Sequence, residues 1–322
     1  MRKKYIIPIV AVGIVLVCLI LLATRFLLGS TENKETVRIF LPEGATYSDL
    51  RDSLMANNVV PIGTGTSFFD IKAKFFKLNQ QVRPGSYVVK PRMKELALIR
   101  KLRNGLQDPM RLTIGKMRTP EQLNAYLSAK LMHDDFDITI DSFHLVRPNT
   151  YEVYWTISPT NFMQRMQREY ERFWDSRNTA YNLTEKEIII LASIVEEETN
   201  RASDKPLVAS VYLNRLQKGM ALQADPTVKY AVGDFTLRRI LKNHLQTPSP
   251  FNTYLHPGLP PAPICLPSVS SVDAVINAPQ TDYLYFCASP ALDGTHIFAA
   301  TLTAHNANAA AFHRALDKRG IK

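Results

Sequence analysis

The stretch from Ile6 to Ala23 holds eighteen consecutive residues without a charge, and it constrains this chain more than any other feature. That length approaches the roughly 20 apolar residues needed to span a bilayer. Arg2, Lys3 and Lys4 precede it, and Arg25-Phe26-Leu27-Leu28 follows. A signal-peptide core is usually only about 7–15 residues long and ends at a small-residue cleavage site. The run therefore predicts an uncleaved anchor that meets the membrane through residues 5–28, with a cleaved signal peptide as the alternative. Three cations at the short N-terminal end place that end in the cytoplasm by the positive-inside rule. Everything beyond Ser30 is then expected outside a cytoplasmic (inner) membrane crossed once.

The rest of the 322 residues suffices for two folded domains. Apolar residues at 46% and charged residues at 21% exclude long disorder. Removing the four anchor cations from 39 basic residues leaves 35 against 29 acidic ones, a mild surplus that suits an anionic polymer or scattered surface lysines. No basic stripe with interleaved aromatics points to nucleic acid. Cys18 lies in the anchor, so Cys265 and Cys287 remain for either a disulfide or two buried thiols. The seven histidines form no metal-ligand spacing, and neither a metal nor a cofactor is expected.

The outer part reads as α+β. Val37 to Leu41 is a strand candidate, Thr46 caps a helix carrying Leu50 and Leu54, Tyr87 to Val89 is a second strand, and Met93 to Leu102 a second helix. This small α+β unit closes near residue 107. A similar order of strand and capped helix follows from Arg111 through Thr119-Pro120-Glu121-Gln122. Further helices are expected over Phe162 to Trp174, after the capping box Thr184 to Glu187, from a Ser203 cap to Leu216, and from Asp225-Pro226. Thr247 to Pro267 reads as ordered loop. Tyr283 to Cys287 and His296 to Ala300 form a short hairpin, and a last helix covers Ala304 to Asp317. The expected division is 1–30 for the cytoplasmic tip and anchor, 31–107 for the small domain and 108–322 for the larger one.

In the helix opened by Thr184, the residues Leu191, Ile194 and Val195 share a face, and Glu198 continues it. Glu196 and Glu197 point elsewhere and read as solvated charge. A carboxyl on a buried face loses hydration of its ionised form, so its pKa rises and it can serve as a general acid. The helix geometry equally allows Glu198 to sit just past the helix end and reach water.

Ala192-Ser193-Ile194-Val195-Glu196-Glu197-Glu198-Thr199 resembles the signature of the MltG/YceG-like endolytic murein transglycosylases. Val208 to Leu216, Leu222-Gln223-Ala224-Asp225-Pro226-Thr227, Phe251-Asn252-Thr253-Tyr254, Gly258 to Ile264, Tyr283 to Phe286 and His305-Asn306 are similar to the family's further motifs, in order. Two departures are Pro148-Asn149-Thr150-Tyr151, where the family has Pro-Asp-Thr-Tyr, and Gly115-Lys116-Met117 in place of a Pro-Glu-Gly turn.

The resemblance implies a LysM-like small domain and a mostly helical, lysozyme-like catalytic domain with Glu198 as the catalytic glutamate. It implies a lytic transglycosylase that cleaves the bond between N-acetylmuramic acid and N-acetylglucosamine in nascent glycan strands. The muramic C6 hydroxyl closes onto C1 as a 1,6-anhydro ring, and glycan-polymerising synthases are implied as company. Gln223, Asn252 and Tyr254 are candidate sugar contacts or loop supports, and Asp225 a substrate contact or helix cap. Two alternatives stand beside this reading: a two-carboxylate muramidase with Asp225 as partner, and a non-catalytic wall-binding or assembly protein.

Overall fold

A computed structural model of the chain describes residues 3–61, 67–178, 181–237 and 239–320. Arg2, part of the expected basic tip, lies outside the described residues. The fold is mixed α+β, with eleven α-helices and three two-stranded sheets among the described residues. It forms two compact units. One comprises Met1–Leu112, Lys130–His133 and Glu152–Ile157; the other comprises Thr113–Ala129, Asp134–Tyr151 and Ser158–Lys322.

The first unit begins with α1, Lys3–Leu28, whose Val10–Leu28 segment is long and apolar enough to cross a membrane. Val12, Ile14, Leu16 and Leu21 project outward with nothing packed over them. Strand β1 (Val37–Leu41) pairs antiparallel with β2 (Gly85–Val89), Val37 opposite Val89 and Leu41 opposite Gly85. Helices α2 (Tyr47–Ala56) and α3 (Phe68–Phe75) lie between these strands in sequence, and α4 (Glu95–Arg103) follows them. Thr46 caps α2 as expected, in a reciprocal box with Asp49. Helix α3, absent from the sequence expectations, opens with the same device on Ser67 and Asp70. Leu50, Leu54, Phe69, Leu78, Tyr87 and Leu98 close a core between the sheet and the helices.

At the end of α1 lies a group of charges. Glu95, at the first turn of α4, accepts from Arg25 Nη1 at 3.1 Å and pairs with Lys72 Nζ from α3. Lys72 is fully buried, and its ammonium also donates to the Arg25 carbonyl at 3.2 Å. Gly29 follows at a point where an added Cβ would fall 2.8 Å from the Arg25 carbonyl oxygen and against the ends of Arg25 and Lys72, so a side chain there would force the backbone of the last turn of α1 or the cluster to shift.

Strands β3 (Met110–Ile114) and β4 (Asn149–Val153) pair with each other. Asn149, at the position of the departed aspartate, accepts the backbone N–H of Thr150 at 2.8 Å. The second unit is built on α7 (Glu185–Glu198), α8 (Lys205–Gln217) and α10 (Val269–Ile276), joined by α5 (Pro120–Lys130), α6 (Pro159–Trp174), α9 (Asp225–Val232) and α11 (Leu302–Lys318). Strands β5 (Tyr285–Ala288) and β6 (His296–Ala299) form the expected hairpin. Thr184 caps α7 with Glu187 as its return partner, and Ser158 caps α6.

Three sequence expectations change here. Ser203 does not cap α8: the N-cap is Asp204, whose carboxylate instead accepts the backbone N–H and meets the ring Nδ1 of His296, at 2.8 and 2.9 Å. Helix α10 was not expected, being short and following a proline-rich loop. Helix α7 is not one-faced, because every residue from Ile188 to Val195 is buried against α8, α9 and α10. Cys265 is a buried free thiol and Cys287 a half-buried one, which decides against the disulfide.

Candidate active site

Burial of α7 on all sides means that the helix direction, rather than a face, delivers Glu198: it is the last helical residue, and Thr199 leaves in extended conformation. The carboxyl emerges, partly buried, at a cavity of about 340 Å³. Tyr212, one turn before Arg215 on α8 and itself buried, donates its hydroxyl to Glu198 Oε1 at 2.6 Å. Burial pushes the Glu198 carboxyl up to about 7; the Tyr212 bond works against that shift and the Asp225 charge adds to it. Burial and the neighbouring Glu198 hold the Tyr212 phenol protonated, well above its ordinary range. The result is a carboxyl that carries its proton near neutrality with one oxygen fixed in place.

Arg215 is nearly buried and spends its guanidinium on structure, donating to the carbonyls of Leu284 and Leu222, each at 2.7 Å. It lies 5.4 Å from the Tyr285 ring, which stacks in turn on His305 from α11 at 5.4 Å. Tyr285, Phe286 and His305 give this flank of the cavity an aromatic wall. Burial and Arg215 lower the pKa of His305, which keeps its ring neutral at pH 7. A second cavity of about 360 Å³ flanks Glu198 on a charged side, with Glu197, Asp225, Lys229 and Arg239.

Of the loop residues singled out in the sequence, three reach the aromatic cavity: Gln223, Asp225 and Tyr254. Gln223 holds a left-handed φ of 50°, a costly conformation for a residue with a Cβ, and its N–H is tied to the Thr253 carbonyl at 3.1 Å. Asp225 is not a cap: the N-cap of α9 is Ala224, and Asp225 Oδ1 accepts the Tyr254 hydroxyl at 2.7 Å. Asn252, a candidate sugar contact, is corrected to a loop support. It is fully buried, its amide donates to the Leu245 and Thr247 carbonyls at 3.0 Å each, and its Oδ1 accepts from Tyr254 N–H at 3.0 Å. Below the loop, the Thr227 and Thr253 hydroxyls bond each other at 2.8 Å, fixing the turn that carries Gln223 and Asp225.

Glu196 and Glu197 are the clearest correction, since neither is solvated. Glu197 pairs with Lys116 at 2.7 Å and Arg118 at 3.0 Å, so the altered Gly115-Lys116-Met117 segment grips the end of α7. Glu196 Oε2 receives the hydroxyls of Ser268 and Ser271 at 2.5 Å each and Lys205 Nζ at 3.0 Å. Burial alone would raise the Glu196 carboxyl; the bonds from Ser268, Ser271 and Lys205 outweigh it and hold the group below its ordinary value of 4.5. Its stabilising contribution is therefore fully present above pH 4.5 and is lost as the pH falls through the depressed folded-state value. Glu196→Gln should cost about 1–3 kcal/mol at pH 7, with the difference from wild type shrinking in acid. Denaturant unfolding at pH 7 and pH 3.5 measures this, and a loss below about 0.5 kcal/mol at pH 7 would mean that the network contributes no more than an exposed pair.

Tyr212, Arg215, Tyr285 and His305 were not singled out in the sequence, although each falls inside a segment similar to the family's motifs. A tyrosine in a buried helix reads as core, and only its distance to Glu198 assigns it to the site.

The sequence model of the YceG-like family matches residues 39–311. The endolytic murein transglycosylase of Bacillus subtilis strain 168 is 28% identical over 310 residues, covering 85% of this chain and 84% of that protein. The endolytic murein transglycosylase of Streptococcus pneumoniae D39 is 34% identical over 133 residues, which cover 40% of this chain and 24% of that larger protein. The crystal structure of a YceG-like protein from Listeria monocytogenes superposes with a TM-score of 0.51 at 26% identity, covering 85% of this chain and 99% of that one. With the family's sequence model spanning most of its length, the chain belongs to the YceG-like family.

Proposed function

We propose that this chain is a membrane-anchored endolytic lytic transglycosylase that cleaves peptidoglycan between N-acetylmuramic acid and N-acetylglucosamine. The observation that carries the reading is the carboxyl of Glu198, protonated near neutrality at the mouth of a cavity lined with aromatic and polar side chains. With Oε1 taken by Tyr212, Oε2 faces the substrate, donates its proton to the leaving glycosidic oxygen and then accepts the proton of the muramic C6 hydroxyl as that oxygen closes onto C1. Gln223 and Tyr254 bind sugar hydroxyl or acetamido groups, and the Tyr254 hydroxyl orients Asp225.

Several further features belong to the same proposal. α1 spans the inner membrane with the catalytic unit outside it, and glycan synthases work beside the enzyme on nascent strands. The β1-α2-α3-β2 order supports a LysM-like unit over 31–107, and the buried α7 ending in an acidic residue supports a lysozyme-like unit over 108–322. A non-catalytic wall-binding protein would have no use for a desolvated carboxyl at a cavity mouth.

The placement of Asp225 on both cavities beside Glu198 favours one rival, a two-carboxylate muramidase. Digestion of sacculi in heavy-oxygen water separates the two. The expected products are 1,6-anhydro-muropeptides without solvent oxygen at muramic C1, and Asp225→Asn should retain measurable turnover. Labelled reducing ends together with a dead Asp225→Asn variant would establish hydrolysis instead.

A further inference from the structure

The side of α3 turned away from its core carries Ile71, 47% exposed, and Phe75, 70% exposed, one helical turn apart. Single exposed apolar residues are ordinary, but the position of this pair is not. The Phe75 ring stands edge-on to Phe26 with centroids 5.9 Å apart, and Phe26 belongs to the last turn of α1. The apolar segment Val10–Leu28 has 19 residues, about 28 Å of helix, close to the thickness of a bilayer core. With α1 spanning the membrane, Phe26 lies at the outer boundary of the hydrocarbon, and a ring packed against it lies at nearly the same depth. Lys74 and Lys77, both exposed, sit beside Phe75 at the height of lipid phosphates. The Glu95 carboxylate, held between Arg25 and Lys72, compensates the one charge in the last turns of α1.

We propose that α3 is a membrane-interface helix: Ile71 and Phe75 enter the outer leaflet, and Lys74 and Lys77 meet anionic headgroups, so that the small unit rests on the lipid surface instead of hanging from a free tether. The inference rests on reading α1 as a membrane span.

The test uses the full chain reconstituted in vesicles of phosphatidylcholine and phosphatidylglycerol, with part of the lipid brominated near the glycerol end of its acyl chains. Single tryptophans replace Leu22, Ile71, Phe75 and Leu106, and the signal of the native Trp155 and Trp174 is subtracted using the parent chain. Leu106 is the comparison position, exposed and beyond the far end of α4, about 12 Å along that helix from Glu95. The expected result is loss of fluorescence at positions 22, 71 and 75 and none at 106. Quenching at 22 with positions 71 and 75 behaving like 106 would overturn the α3 contact while leaving the anchor standing. No quenching at 22 would overturn the membrane span and the contact with it.

Discussion

Glu198→Gln should fold and lose turnover by roughly three orders of magnitude or more, since general acid and base contributions are each worth about 10²–10⁴-fold and one carboxyl is assigned both. The amide keeps the acceptor for the Tyr212 hydroxyl, so the cavity should be unchanged. A folding readout separates this from collapse of the site. Glu198 has a folded-state value near 7 against an ordinary 4.5, so the folded chain binds the extra proton across that interval. The stability contributed by the protonated group is complete below pH 4.5 and is lost as the pH rises through about 7. A shift of that size corresponds to about 3 kcal/mol at most. The Gln variant lacks this titration, so it should match wild type near pH 4 and exceed it at pH 8, as seen by thermal unfolding. Retained release of anhydro-muropeptides by Glu198→Gln would remove Glu198 from the chemistry. Equal stability of both proteins at pH 8 would place its carboxyl in water.

The second large effect is expected far from the chemistry, in the small unit. Glu95→Ala leaves the fully buried Lys72 ammonium with the Arg25 carbonyl and the face of the Phe26 ring, without its carboxylate, and leaves two cations facing one another. Removing one member of a buried pair typically costs about 3–5 kcal/mol. Amide hydrogen exchange of β1 and β2 in the detergent-solubilised full chain should accelerate accordingly, while α7 and α8 stay protected. The double change Glu95→Ala with Lys72→Met should recover most of the loss, because the uncompensated charge, and not the missing contact, carries the cost. Unchanged exchange in the single variant would show that water reaches Lys72 and that the cluster is dispensable.

Much of the fold was legible because local chemistry declared it. Thr46 and Thr184 cap the helices they precede in sequence, and β1 occupies the residues whose β-branched and apolar pattern predicted it. Helix α3 carries the same signature, from Ser67 to Asp70, whereas α10 has little local signal to offer. Its eight residues are stable because they pack on α7 and α8, which is a tertiary cause. The expected Ser203 cap and the cap alternative for Asp225 fail for a common reason. Each lies where a short polar side chain could bond the first turn, and in each case a distant partner, His296 for the adjacent Asp204 and Tyr254 for Asp225, claims a carboxylate instead.

What the sequence by itself determined is the set of features that depend on neighbours along the chain: the apolar length of α1, the helix starts capped by Thr46 and Thr184, and the ordered motifs shared with the YceG-like family. Tertiary structure alone decided the different partners of three consecutive glutamates. Glu196 meets Lys205 and two serine hydroxyls, Glu197 meets Lys116 and Arg118, and Glu198 meets a phenol and a cavity. Lys116 and Arg118 stand 81 and 79 positions before Glu197 in the chain, and what surrounds a carboxyl follows from the water it loses and the cations it gains in space, neither of which helical periodicity records.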